Sequence, residues 1–89
     1  MGQVLREWGI EWIRGSIRSY FLGTTSLDML KGKIRRAIKS YDVKPEEVET
    51  ITNLLILDPG LNVPKSLREE KAKPLLEYVS QLKSGEKRG

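Results

Sequence analysis

The segment Thr25-Ser26-Leu27-Asp28-Met29-Leu30-Lys31-Gly32-Lys33-Ile34-Arg35-Arg36-Ala37-Ile38-Lys39-Ser40-Tyr41 decides the fold class. Leu27, Leu30, Ile34, Ala37, Ile38 and Tyr41 recur at steps of three and four, the period that places them on one stripe of an α-helix. At about 100° per residue, Lys31, Lys33, Arg35, Arg36 and Lys39 fall on the remaining arc. Thr25 and Asp28 stand three apart at the start, as the two members of a capping box do. The expected product is a helix with one side buried and the other strongly cationic.

The same period continues outward in both directions. Residues 3–22 read as a long first helix, with Val4, Leu5, Trp8 and Trp12 on one side and Ile10, Ile13, Ile17, Tyr20 and Phe21 on an adjoining one. Only a narrow arc bearing Glu7, Glu11, Arg14 and Arg18 is polar. A helix so apolar around its circumference is central in its bundle or shares a face with a second chain. Gly9 and Gly15 each weaken it by about 1 kcal/mol relative to alanine and mark points of close helix approach. Gly23 occupies the position glycine favours just past a helix end.

Beyond Tyr41, Asp42-Val43-Lys44 reads as a turn. Pro45 opens a third helix, and Glu46 and Glu47 occupy its first turn. That helix is expected to reach about Leu57, with Val48, Ile51, Leu54, Leu55 and Leu57 inward, before Asp58-Pro59-Gly60 stops it. Leu61 and Val63 anchor a loop. Lys65 to Lys83 is helical in composition but contains Pro74. It reads as a short helix over 65–72 and a second from Pro74, or as one kinked helix, with Leu75, Leu76, Val79 and Leu82 as its apolar face. No segment alternates as a strand. The fold class is therefore all-α: a small single-domain bundle of four to five helices over residues 1–83, followed by a flexible polar tail over 84–89.

Composition narrows the chemistry. The 89 residues contain neither cysteine nor histidine, which removes disulfides, thiolate metal sites, the usual general base and the commonest metal ligand. No nucleophile elbow, phosphate loop or zinc motif is present. Glu46, Glu47 and Glu49, with Asp42 and Asp58 nearby, are the nearest thing to a carboxylate cluster. The helix dipole accounts for acids in a first turn without any metal or general acid. No enzyme activity, cofactor or metal site is expected. Without an apolar stretch near the roughly 18 residues a bilayer requires, no membrane partner is expected and a cytoplasmic location is.

The net charge of +4 is unevenly spread. Residues 1–41 hold eight Lys or Arg against three Asp or Glu, residues 42–62 one against five, and residues 63–89 seven against four. None of the five cations on the second helix has an acid four residues away, so the usual surface ladder of ion pairs is missing. Lys83, Lys87 and Arg88 add charge near the C-terminus. Such an array suits the phosphate backbone of nucleic acid, with DNA taken ahead of RNA. Helices two and three have the approximate spacing of a helix-turn-helix. Glu46, Glu47 and Glu49 would then face the phosphates, which argues for contact through helix two instead.

Trp8 and Trp12, one helical turn apart beside Leu5, admit core packing, a protein-interface anchor, or base stacking, in that order. Base stacking ranks last because Arg6 is the one basic residue close to them in sequence. The spacing Ile17-Arg18-Ser19-Tyr20-Phe21 resembles peptides that dock on sliding clamps, with Arg14 where those peptides carry glutamine. A second functional expectation follows from the first helix: a protein–protein adaptor or regulatory subunit, or a homodimer, joined through Leu5, Trp8 and Trp12. Carboxylates from 42–58 lying across the cationic ridge would favour this second expectation over nucleic-acid binding.

Overall fold

Four helices account for nearly the whole chain: α1 (Gly2–Leu22), α2 (Leu27–Ser40), α3 (Pro45–Ile56) and α4 (Lys65–Arg88). The computed structural model describes the backbone of residues 2–88 and the side chains of residues 5–85. The expected contribution of Val4 to the first helix's apolar side therefore lies outside the described side chains, as do those of Lys87 and Arg88 to the positive charge.

Each boundary has a local cause. At the end of α1, Gly23 adopts φ 90°. Its N–H donates to the Tyr20 carbonyl at 3.1 Å, and the Thr24 N–H donates to Ser19 at 2.9 Å, the paired bonds of a glycine-terminated helix. The N-cap of α2 is Ser26 rather than Thr25: its hydroxyl accepts from the Met29 N–H at 3.2 Å, while Thr25 is buried. Pro45 opens α3, and Glu47 reaches back to accept from the Lys44 N–H at 2.8 Å. Past α3, the Asp58 carboxylate accepts from the Gly60 N–H at 2.8 Å and shapes the turn. α4 is one helix that contains Pro74. Pro74 faces solvent, where the carbonyl freed by its missing N–H can be hydrated. The helix runs to Arg88 and takes in most of the 84–89 stretch; Gly89 lies outside the described residues.

Ile13 and Ile17 of α1, Leu30 and Ile34 of α2, Val48 of α3, and Leu75 and Val79 of α4 are all at 0% exposure and form the core. Each contributes about 1.5–3 kcal/mol relative to an exposed side chain. Ile17, Tyr20 and Phe21 are buried here, so the clamp-peptide resemblance has no accessible side chains to act through. In α3 the inward stripe is Val48, Ile51, Thr52 and Leu55. Leu54 and Leu57, expected inward, are 62% and 67% exposed. Thr52 can hold its buried position because its hydroxyl donates to the Val48 carbonyl at 2.8 Å, which cancels the cost of burying it.

Two polar clasps tie α4 to the other helices. The Tyr20 hydroxyl donates to the Lys71 carbonyl at 2.7 Å, and Lys71 Nζ returns a bond to the Tyr20 carbonyl at 2.8 Å. Burial pushes the Tyr20 phenol above its ordinary value, so the folded protein keeps this proton at pH values where the unfolded chain has lost it. The resulting stability is fully present below the unfolded pKa and is lost as pH rises through the folded one. Urea melts of wild type and Tyr20→Phe across the alkaline range check this. The variant should lose about 1 kcal/mol at neutral pH from the missing hydrogen bond, and the difference between the two proteins should shrink above the ordinary phenol range. The second clasp is the Arg68 guanidinium, buried at 8% exposure. It donates to the carbonyls of Leu55 at 3.3 Å and Asp58 at 2.8 Å, at the C-terminal end of α3.

Candidate nucleic-acid interface

Burial of Leu30, Ile34 and Ala37 orients α2, and the positions of its cations follow from helical geometry. Lys31, Arg35 and Lys39 descend one edge of the helix. Lys33 lies on the opposite edge, about 160° round the axis from Arg35, with Arg36 between them facing solvent. The five residues thus wrap the exposed half of α2 rather than forming a single row.

The first edge faces α4 across Tyr78. Arg35 Nη1 donates to the Tyr78 hydroxyl at 3.2 Å, and Lys31 Nζ sits 5.3 Å from the centre of the same ring. Both side chains are thereby held by a phenol rather than by a carboxylate. Nothing in the spacing of Leu75, Leu76, Val79 and Leu82 had singled out Tyr78. It falls three residues after Leu75, at the margin of that apolar face.

Among the described residues, no carboxylate of the acidic middle segment forms an ion pair with the α2 cations. Asp42 pairs with Lys44 at 3.4 Å, Glu49 with Lys83 at 3.2 Å, and Glu47 with Arg6 of α1. The remaining ion pair among the described residues, Arg14 with Glu11 at 3.2 Å, lies within α1. None of these pairs involves Lys31, Lys33, Arg35, Arg36 or Lys39. Lys83, expected to reinforce the ridge, is instead committed to Glu49.

Leu5 and Trp8 are 53% and 54% exposed and Trp12 is half-buried, so core packing does not describe Trp8. Its ring lies 5.9 Å from that of Trp12 and 5.1 Å from Tyr41, and Trp12 and Tyr41 are 5.8 Å apart. Gly9 makes the cluster possible. A Cβ there would stand 2.6 Å from the Tyr41 Cβ, so only glycine lets α1 come this close to the end of α2. No Cβ contact within 4 Å would arise at Gly15, which therefore marks no close approach.

Compared with protein families, curated sequences and solved structures, the chain has no significant match. Among the described residues, no helix is long and apolar enough to cross a membrane.

Proposed function

We propose that this protein is a non-enzymatic nucleic-acid-associated accessory protein that holds the phosphate backbone through Lys31, Lys33, Arg35, Arg36 and Lys39. One observation carries the reading: no ion pair among the described residues engages these five cations, while Asp42, Glu47 and Glu49 pair with cations elsewhere. Cations without anionic partners can displace the counterions condensed on a polyanion, and that release drives non-specific binding. Nothing in this arrangement reads base edges, so the expected binding is sequence-tolerant.

The test is charge reversal. Arg35→Glu combined with Arg36→Glu should weaken binding to a fluorescent oligonucleotide on the order of tenfold or more at low salt, with an unchanged circular-dichroism melt. Undiminished binding would sink the reading. A second reading, a protein–protein module or homodimer, is favoured by the 54% exposure of Trp8, since exposed tryptophans are common interface anchors. Sedimentation of the free protein as a monomer at micromolar concentration would count against the homodimer.

A further inference from the structure

The structure brings Trp8 and Trp12 beside the end of a basic helix from which they are distant in sequence. Both rings contact Tyr41, the C-terminal cap of α2. Trp8 is held by two aromatic neighbours, yet more than half of it stays in solvent. A fixed, open indole has already lost the rotational freedom that a ligand would otherwise have to freeze.

The charge at its border is the second observation. Arg35 and Lys31 reach Tyr78 of α4, so the opposite edge of α2, bearing Lys33, is the one turned towards α1, with Arg36 about 60° further round towards solvent. Arg36 precedes Tyr41 by five residues, about 7–8 Å along the helix axis. Arg36 is exposed and Lys33 half-buried. Of the acids near Trp8 in the fold, Glu11, three residues on, is held by Arg14 at 3.2 Å, and Asp42, next to Tyr41, by Lys44. Glu7 is exposed on the outer face of α1, about 100° round the axis from Trp8.

We infer that the α1–α2 edge is a single-strand site, in which Trp8 stacks on an unpaired base while Arg36 and Lys33 hold the neighbouring phosphates. An aromatic platform beside unpaired cations is what sequence-tolerant single-strand binding requires. A duplex keeps its bases stacked on one another and offers none to Trp8. The inference rests on the proposed phosphate-binding role of α2 and adds the class of strand it takes.

The experiment compares a fluorescent oligothymidylate with a duplex of equal length, using protein in which Trp12→Phe leaves Trp8 as the sole indole. The single strand should bind about tenfold tighter and quench Trp8 emission, and Trp8→Ala in the wild-type background should reduce that preference to near unity. Trp8→Phe should restore part of it, and melts of both variants confirm that they fold. Equal affinity for the two ligands with unchanged emission, while charge reversal at Arg35 and Arg36 still weakens both, would overturn the single-strand inference and leave the α2 reading standing. Absence of salt-sensitive binding to either ligand would overturn both. Free protein that sediments as a dimer with blue-shifted Trp8 emission would assign the platform to a second copy of the chain, against the inference.

Discussion

Arg68→Ala should destabilise the fold by about 3 kcal/mol, from the loss of two charge-assisted bonds and of the packing of its buried stem. The guanidinium spans from α4 to the end of α3 and the turn beyond it, where the last carbonyls of the helix concentrate negative partial charge and the Leu55 and Asp58 carbonyls already accept the N–H groups of Asp58 and Leu61. It supplies donors to Leu55 and Asp58 at 3.3 and 2.8 Å. Its Nε is buried without a partner, a cost that offsets part of the gain. Thermal unfolding should move down by roughly 15 °C for a domain of this size. Arg68→Met separates the contributions by keeping most of the buried stem and removing the donors. It should recover less than half of the loss. Full recovery by methionine would show that Arg68 acts by packing alone.

The second large effect is expected at Gly9. A methyl group there meets the Tyr41 Cβ at 2.6 Å and a Val43 methyl at 3.1 Å, and a Cβ cannot swing away as the tip of a long side chain can. Gly9→Ala should therefore cost about 2 kcal/mol, the overpacking strain exceeding the improved helix propensity. Gly15→Ala is the matched control. It adds the same methyl group where nothing lies within 4 Å and should gain up to about 1 kcal/mol. Chemical denaturation of the two single variants measures both signs. Near-ultraviolet circular dichroism of Gly9→Ala should also show a changed tryptophan signal, because Tyr41 contacts both indoles.

What could be read from the residues follows the range of the interactions involved. The helix boundaries are local matters of apolar period, glycine and proline, and they were legible to within a few residues. Thr25 and Ser26 are adjacent hydroxyl residues that offer the same capping signal, and only the burial of Thr25 in the folded chain separates them. Leu54 and Thr52 are a similar pair: hydropathy favours leucine inside, but the helical position favours threonine and the Val48 carbonyl satisfies it. Pro74 left one helix or two open, since its effect depends on whether the freed carbonyl faces water.

The candidate surface was half legible. Five cations on α2 could be counted, but their division into two edges depends on which neighbour takes each side. Tyr41 was part of the apolar stripe read from the sequence, but its contact with both tryptophans and the contacts of Tyr78 with Arg35 and Lys31 depend on where α1 and α4 pack. The fate of Trp8 was beyond sequence reasoning for a related reason. α1 is apolar around most of its circumference, and periodicity does not say which part the other helices leave uncovered. The Arg68 clasp joins residues ten and thirteen apart across a loop, and no local pattern announces it.

The central claim, that unpaired cations of α2 contact phosphates, is tested most directly by the salt dependence of oligothymidylate binding. Three or four contacts should give a slope of about −2 to −3 in log affinity against log salt concentration. Arg36→Ala should make that slope shallower by about 0.7. A slope near zero, or one that Arg36→Ala leaves unchanged, would contradict the claim.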